Sequence, residues 1–474
     1  MYFVLLWLFF RPATCTLHGC GSTWSKELFF DSSENHAWLS KNTSIKRPCE
    51  YYSGDFEFKA LQPTRLLLLA NGPINISINQ KLIYRSNEHK MTIYNQLIVI
   101  SSLKNHIQIE GHVTYFKWYP YQMRFYLYNL PARYNIEPEK DKRCHTSMFA
   151  AEPYLFHSLS KHPLRTQQAL EADFFYVPLH SMCIKQKQKK YPDLLQNKKL
   201  FEQGILHVQT NWPYWRRNYG TDHIFTAVHD FSTCFAWREP ENKRMRYDFG
   251  TKNATFLVYS GDVSTKCFRQ SQDIVIPPFV PDTRRSIDFH FQRDWLAYFQ
   301  GTVQWITWQN EIVHTYSRGV RQTLYRLYKN SSEIHIHDGA LNNVEDYYSR
   351  FKRCKFAICP LGMASWSPRT VEALVHGSIP VIVSDSIVLP FSNIIDWRAI
   401  SIQVSEEDAC RPGHLQNILE NIDLPRQEAM RRQGQVEVSK LLYNTPQWSS
   451  HSVTKTLIVS LEKKLLLKTS ILNI

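Results

Sequence analysis

The sequence predicts an α/β protein with two doubly wound halves that face a cleft, preceded by a small β-rich module. The chain has 474 residues, 43% of them hydrophobic, which is enough for two or three packed domains. From Arg124 onward, short and almost continuous apolar runs alternate with segments of helical length. That alternation is typical of parallel sheets covered on both faces. Before residue 118 the apolar runs alternate with polar residues instead, which predicts antiparallel strands.

The chain opens with MYFVLLWLFF. Nine apolar residues after Met1 are too few to span a bilayer as a helix, but they match the apolar core of a signal peptide. We therefore expect residues 1–19 to be a signal peptide, with a short anchor as the alternative. None of the ten cysteines forms a CxxC pair, so a thiolate metal site is not expected, and we expect a local disulfide between Cys20 and Cys49. Together with the leader, four N-x-S/T sequons favour a secretory compartment, where disulfides persist: Asn42, Asn75, Asn253 and Asn330.

Residues 20–118 are predicted to form a β-rich accessory module. Four short runs are rich in β-branched and aromatic residues: TRLLLLA, INISINQKLIY, MTIYNQLIVIS and IQIEGHVTYFKW. The turn residues NGP and other polar segments separate these runs, so we expect an antiparallel sandwich. The composition leaves open whether such a module binds carbohydrate or braces the rest of the chain.

The remainder divides into a first half at 119–292, a second half at 293–445 and a C-terminal helix or tail at 446–474. Strands of the first half are predicted in RFYLYNLP, EADFFYVPL, DHIFTAVHD, ATFLVYSG and DIVIPPF. Strands of the second half are predicted in WLAYFQG, EIHIHDG, KFAICP, IPVIVSD and AISIQV. Two consecutive doubly wound sheets predict a cleft between them, with ligands at the carboxyl ends of the strands.

A helix between two strands of the second half carries the most informative polar residues. Ser367 is a good N-cap, Pro368 suits the first helical position, and a glycine ends the helix at 377. Arg369 and Glu372 lie three residues apart on one face. A cation in a first turn is disfavoured unless a phosphate binds there, and a guanidinium binds phosphate bidentately. A carboxylate one turn later could accept two ribose hydroxyls, so the pair fits a nucleoside diphosphate; a surface ion pair is the alternative.

Five segments occur together and in one order: RFYLYNLPARYN, EADFFYVPL, YWRRNYGTDHIFTAVHDFSTC, CFRQSQDIVIPPF and CKFAICPLGMASWSPRTVEALVHGSIPVIVSDSIVLPFSNIIDW. Because of this ordered set of segments, the chain resembles the exostosin-like glycosyltransferases, family 47, from Arg124 to about Tyr443. The resemblance implies a GT-B fold, which is two Rossmann-like domains facing a cleft, with the sugar nucleotide held mainly by the second half. It also implies a hexosyl or pentosyl transferase that acts in polysaccharide or glycoprotein synthesis.

The resemblance further implies an inverting reaction that uses a nucleotide-diphosphate sugar as substrate and needs no metal or other cofactor. The helix N-terminus and arginines would stabilise the leaving diphosphate. By the similarity of WLAYFQGTV and SRGVRQTL to the family, Arg321, or else Arg318, would contact the diphosphate. The other implied donor-binding residues are Gly362, Ser367, Arg369 and Glu372. A base that takes the acceptor proton is expected from the first half; the candidates are His229, Asp230 and Asp262.

The charge balance bears on partners. Lys plus Arg exceed Asp plus Glu by 56 − 42 = 14, which suits an acidic partner such as an acidic glycan acceptor. Neither a zinc-finger spacing nor an aromatic–basic motif supports nucleic-acid binding. We expect the Golgi lumen as compartment, with the endoplasmic reticulum or secretion left open. The sequence also leaves open whether the protein forms a homo-oligomer or a hetero-oligomer with another glycosyltransferase. The alternative function is that of a non-catalytic glycan-binding or stabilising subunit of a glycosyltransferase complex.

Overall fold

The structure, a computed structural model, describes most of the chain from residue 122 to 469. The described ranges are 122–184, 194–234, 246–280, 292–303, 316–339, 344–443 and 452–469, together with nine strands before residue 121 and two short strands at 307–308 and 311–312.

The N-terminal module contains one large antiparallel sheet. Its strands are β1 (Thr14–His18), β2 (Trp24–Glu27), β5 (Tyr52–Phe58), β6 (Thr64–Ile78), β7 (Lys81–Ser86), β8 (Thr92–Ile98) and β9 (Asn105–Pro120), while β3 (Phe30–Asp31) and β4 (His36–Ala37) pair separately. The order is β2-β1-β5-β9-β6-β7, and β8 pairs with β6. The antiparallel pairing agrees with the sequence, whereas a sandwich of two facing sheets stays a prediction.

Two predicted strand limits in this module are wrong. The turn expected at NGP is absorbed into β6, whose register with β9 shifts between Ala70 and Ile74, so these residues form an irregularity within a continuous strand. The run INISINQKLIY was read as one strand, but β6 ends at Ile78 and β7 begins at Lys81. Both errors arise because pairing partners, rather than local composition, decide where a strand continues.

The first half is built on a six-stranded sheet in which all pairs are parallel. Its strands are β10 (Phe125–Leu127), β11 (Arg165–Thr166), β12 (Phe174–Tyr176), β13 (His223–Ala227), β14 (Thr255–Val258) and β15 (Ile274–Val275), in the order β11-β10-β12-β13-β14-β15. Its helices are α1 (Arg143–Thr146), α2 (Ala151–Ser160), α3 (Leu194–Asn211) and α4 (Tyr214–Arg217). The predicted parallel sheet is confirmed, with strands shorter than the apolar runs that indicated them.

The second half contains a five-stranded parallel sheet of order β19-β16-β20-β21-β22. Its strands are β16 (Trp295–Gly301), β19 (Ile334–Asp338), β20 (Cys354–Pro360), β21 (Ile379–Val383) and β22 (Ile402–Val404); β17 (Thr307–Trp308) and β18 (Glu311–Ile312) form a separate antiparallel pair. The helices are α5 (Val320–Tyr328), α6 (Val344–Arg353), α7 (Arg369–Val375), α8 (Glu406–Cys410), α9 (His414–Glu420) and α10 (Leu424–Val438). Two parallel sheets in succession fit the expected GT-B-like architecture.

The start of α7 differs from the sequence prediction. The helix begins at Arg369, and Pro368 rather than Ser367 is its N-cap. The Ser367 hydroxyl still accepts the backbone N–H of Arg369 at 3.3 Å, but it also accepts a hydrogen bond from the Arg369 guanidinium. Gly377 follows the helix with φ of 74°, as the predicted C-terminal glycine requires.

The two halves share a hydrophobic core. One cluster of buried side chains runs from Met123 in the first half through Trp366 and Ile382 in the second. A last helix, α11 (Val453–Thr469), returns to the first half, where Thr454 Oγ1 donates to Ser158 Oγ at 2.8 Å. These contacts pack the first and second halves against each other.

Two disulfides stabilise loops of the first half, Cys144–Cys183 and Cys234–Cys267. Cys354 and Cys359 are free and buried, and Cys410 is free and half-buried. The predicted pair of Cys20 and Cys49 lies outside the described residues. Of the helices in the described ranges, none has the length and apolar character needed to cross a membrane.

Candidate functional site

Arg369 lies at the carboxyl ends of the second sheet, where the fold predicts a ligand. Its Nε donates to the backbone oxygen of Gln300 at 3.1 Å, and its Nη1 donates to Ser367 Oγ at 3.0 Å. The guanidinium carbon is 4.8 Å from the centroid of the Phe299 ring. Strand β16 therefore supplies both the ring beneath the guanidinium and the carbonyl that orients it.

Gly301, the last residue of β16, makes room for this guanidinium. A Cβ at position 301 would lie only 2.6 Å from Arg369 Nη2. A real Cβ never approaches a nitrogen that closely, so any larger residue at 301 would displace the arginine side chain. The glycine is thus part of the site although it offers no side chain.

Arg321 on α5 is the second guanidinium at this edge, and only 4% of the residue is exposed. Its Nε donates to the carbonyl of Leu361 at 2.9 Å, and Nη2 donates to that of Pro360 at 3.2 Å. Its Nη1 donates to the Tyr316 hydroxyl at 2.9 Å. A Cβ on Gly362 would lie 3.3 Å from Arg321 Nη2, so this loop also passes close to a guanidinium.

The two guanidiniums share one aromatic support. Arg321 and Arg369 lie 5.3 Å and 4.8 Å from the centroid of Phe299. Within the described ranges neither arginine forms an ion pair with a carboxylate. Burial and the adjacent Arg369 lower the pKa of Arg321 to about 10, so it remains charged at neutral pH. Two neighbouring cations without a carboxylate partner are suited to an anion that carries more than one negative charge.

Glu372 lies on the same helix but does not pair with Arg369. Its Oε2 accepts a hydrogen bond from the Tyr347 hydroxyl at 2.9 Å. Burial raises the pKa of Glu372, and this outweighs the opposite effects of Arg369 and Tyr347. The structure therefore rules out the surface ion pair that the i, i+3 spacing allowed. In the part of the chain that the structure describes, Oε1 of Glu372 accepts no hydrogen bond.

Arg318 and Asp262 are brought together, but in a bridge between the halves. Arg318 Nη2 donates to Asp262 Oδ2 at 3.2 Å, and Arg318 Nη1 donates to Glu406 Oε1 at 2.9 Å. The second oxygen of Asp262 accepts the backbone N–H of Ser264 at 2.9 Å. Arg318 is thus bound by two carboxylates, and both oxygens of Asp262 accept hydrogen bonds.

A left-handed turn separates the two candidate arginines. Ser317 and Arg318 have φ of 61° and 50°, and Gly319 has φ of 82°. Non-glycine residues adopt this region rarely and at a conformational cost. The turn sends Arg318 toward the first half, while Arg321, three residues on, reaches the loop after β20.

His229 and Asp230 follow β13 at the carboxyl end of the first sheet. His229 is buried, and its Nδ1 accepts the backbone N–H of Phe231 at 3.2 Å. This bond favours the neutral tautomer that carries its proton on Nε2. The imidazole stacks on Phe149 with ring centroids 6.1 Å apart, and Phe149 contacts Trp366 of the loop before α7 at 5.9 Å. His229 is therefore linked by one aromatic ring to the loop before α7.

The comparison with protein families decides the class. The model of the Exostosin GT47 domain matches residues 121–422.

The chain belongs to the exostosin GT47 family. It is 34% identical over 316 residues to "Probable beta-1,4-xylosyltransferase IRX10" of Arabidopsis thaliana, covering 66% of this chain and 74% of that one. It is 33% identical over 322 residues to "Probable glucuronosyltransferase 47 A" of Physcomitrium patens, covering 66% and 70%. The resemblance inferred from the sequence is confirmed, and the chain is a glycosyltransferase.

Among solved structures, the chain is similar to Anabaena Alr3699/HepE in complex with UDP, covering 72% of this chain and all of that one at 10% identity. The TM-score of 0.35 is too low for this likeness to add to the argument.

Several residues of this GT47 site were missed by sequence reasoning. Gly301, Phe299 and Gln300 end the apolar run WLAYFQG, so their position at a strand terminus was a usable signal. Tyr316 and Tyr347 gave no signal, because tyrosines in a chain with 25 of them do not stand out. Only the folded chain shows that their hydroxyls reach Arg321 and Glu372.

Proposed function

We propose that this GT47 enzyme is an inverting glycosyltransferase that moves a sugar from a nucleotide-diphosphate sugar to a glycan acceptor. The observation that carries the proposal is the pair of guanidiniums, Arg321 and Arg369, over one phenyl ring at the carboxyl ends of the second sheet. A diphosphate supplies the two adjacent negative charges that such a pair would neutralise.

The remaining donor-side residues fit the other parts of the nucleotide. Glu372 offers Oε1 to the ribose hydroxyls while its Oε2 is held by Tyr347. Gly362 lets the loop after β20 pass close to the Arg321 guanidinium, and Ser367 orients Arg369. In this assignment Arg321, rather than Arg318, contacts the diphosphate, since Arg318 is already bound by Asp262 and Glu406.

The chemistry follows from these charges. An acceptor hydroxyl attacks the anomeric carbon from the face opposite the diphosphate, the bond from that carbon to the phosphate oxygen breaks, and its electron pair stays on the diphosphate. The arginines stabilise the charge that develops there, the role a metal ion has in other transferases, so no metal or other cofactor is required. A base of the first half takes the acceptor proton.

Three residues of the first half are candidates for that base: His229, Asp230 and Asp262. The tautomer of His229 that accepts from Phe231 carries a proton on Nε2, so its Nε2 would donate rather than accept. Asp262 already accepts hydrogen bonds from Ser264 and Arg318. Asp230 follows His229 directly, three residues after β13 ends at Ala227.

The compartment and the acceptor are further parts of the proposal. Two disulfides, and the exposed sequon residues Asn253 and Asn330, support a secretory location with the Golgi lumen as first choice. The names of the relatives suggest xylosyl or glucuronosyl donors, and we propose a polysaccharide as acceptor. The net charge of +14 would suit an acidic acceptor chain.

The test is a binding and turnover screen of the secreted protein in EDTA against uridine and guanosine diphosphate sugars, including UDP-xylose and UDP-glucuronate. Arg369→Ala and Glu372→Ala are compared with Arg432→Ala, an exposed arginine that forms a surface pair with Glu428. We expect one donor to bind and be turned over, with loss in the first two variants only. If no sugar nucleotide binds the wild type, the proposal fails and the glycan-binding subunit takes its place.

A further inference from the structure

Helix α6 contacts the donor-side residues although it lies outside the segments that carry the family resemblance. Tyr347 on this helix donates its hydroxyl hydrogen to Glu372 Oε2 at 2.9 Å. The Tyr347 ring is half-buried and packs edge-on against Phe351 with centroids 5.0 Å apart. The ring is therefore fixed by the core, and its hydroxyl reaches α7 from a rigid support.

One turn further along α6, Arg350 is connected to Arg369 through Gln300. Arg350 Nη1 donates to the side-chain oxygen of Gln300 at 2.9 Å. The backbone oxygen of Gln300 accepts from Arg369 Nε at 3.1 Å. Tyr347 and Arg350, three residues apart on one helical face, thus approach the Arg369–Glu372 pair from the same side.

We propose that Tyr347 is a positioning residue for the sugar nucleotide, because it holds Glu372 in the orientation that leaves Oε1 for the donor hydroxyls. The inference rests on the proposed function, in which Glu372 binds the donor. A carboxylate bound through one oxygen to a rigid hydroxyl loses rotational freedom before the ligand arrives. Pre-ordering of this kind strengthens binding without a contact between Tyr347 and the ligand.

The ionisation of Glu372 gives the proposal a specific signature. The groups that face this carboxylate are Arg369 on its own helix, Tyr347 on α6 and the Cys359 thiol on β20. Burial raises the pKa of Glu372, while Arg369 and the Tyr347 hydrogen bond act against that increase. Removing the hydroxyl removes one of the two groups that favour the charged form. Glu372 should then take up a proton at a higher pH than in the wild type.

The experiment is steady-state kinetics of Tyr347→Phe across the pH range, with the donor varied at saturating acceptor. We expect the KM for the donor to rise by about tenfold, kcat to change by less than about twofold, and the acid limb of kcat/KM to move to higher pH. The matched control is Tyr348→Phe on the same helix, whose ring stacks on His376 with centroids 4.4 Å apart; it should leave KM and the acid limb unchanged.

A second variant keeps the test decisive if Tyr347→Phe unfolds. Glu372→Gln retains Tyr347 but cannot ionise, so the acid limb should disappear in this variant. Where Tyr347→Phe folds, adding it to Glu372→Gln should change KM by less than about twofold. A persistent acid limb in Glu372→Gln, or a Tyr347→Phe enzyme with wild-type KM and pH profile, overturns the inference while the donor site stands. If the wild type binds no sugar nucleotide, the inference falls together with the proposed function.

Discussion

Gly301→Ala tests whether the Arg369 guanidinium is held where a diphosphate needs it. The added Cβ would meet Arg369 Nη2 at 2.6 Å and Phe299 Cζ at 3.2 Å. Gly301 is not among the glycines with positive φ, so alanine fits its backbone. The contact with Phe299 is also tight and requires the ring to shift by a few tenths of an ångström. The contact with Arg369 is closer and involves the far end of a flexible side chain, so we expect the guanidinium, rather than the fold, to give way.

The size of the effect follows from the contacts that Arg369 would lose. Displacement breaks its bonds to the Gln300 carbonyl and to Ser367 Oγ, now 3.1 Å and 3.0 Å long. A hydrogen bond to a charged group contributes about 1.5–3 kcal/mol. If the displaced guanidinium loses one hydrogen bond to the donor, donor binding should weaken by roughly 2 kcal/mol, or about 30-fold. Replacing glycine also reduces the entropy of the unfolded chain, which offsets part of any loss of stability.

The assay is isothermal titration of the nucleotide sugar, with the melting temperature measured in parallel. Gly434→Ala serves as control, since its added Cβ would crowd the buried Leu374 Cδ2 at 3.0 Å, on the core face of α7, and would meet no guanidinium. We expect the donor Kd to rise in Gly301→Ala and to stay near the wild-type value in Gly434→Ala. The double variant of Gly301→Ala and Arg369→Ala should bind the donor no more weakly than Arg369→Ala alone. A Gly301→Ala protein that binds donor as tightly as the wild type would refute the reasoning.

Two further predictions concern the rest of the fold. Arg318→Ala should lower the melting temperature, because it removes the cation that pairs with Asp262 between the two halves. The donor Kd should stay within about twofold of the wild-type value. A large loss of donor affinity with unchanged stability would assign Arg318 to the ligand instead. Burial alone would raise the pKa of Asp222, but Arg217 and His223 hold it well below its usual range. The stability that Asp222 contributes is thus present above about pH 4 and lost as pH falls, so Asp222→Asn should flatten the acid side of a denaturation curve; an unchanged acid slope would contradict this.

The sequence was sufficient for the parallel sheets because their strands are buried on both faces. Runs such as KFAICP and IPVIVSD are nearly all apolar, and the structure contains β20 and β21 there. Strand limits were harder to predict: RFYLYNLP yields only the three residues Phe125–Leu127. The chain leaves the sheet after Leu127, although Tyr128 and Leu130 remain buried in the loop that follows.

The site was predictable where residues are close in sequence and not where the fold joins them. Arg369 and Glu372 share one helix, so their spacing alone placed them together. Tyr347 and Glu372 are 25 residues apart in the sequence, and Gln300 and Arg369 are 69 apart. Residues so far apart come into contact only when the elements that carry them pack together. The choice between Arg318 and Arg321 depended on a left-handed turn whose φ values no local composition indicated.

The most direct test of the account is a crystal structure of the enzyme with a nucleoside diphosphate bound in the presence of EDTA. We expect phosphate oxygens within about 3.2 Å of both the Arg321 and Arg369 guanidiniums, and ribose hydroxyls on Glu372 Oε1. Asp262 and Glu406 should keep Arg318 in the same crystal. A diphosphate bound by Arg318, or one that lies away from the loop after β20, would contradict the central claim.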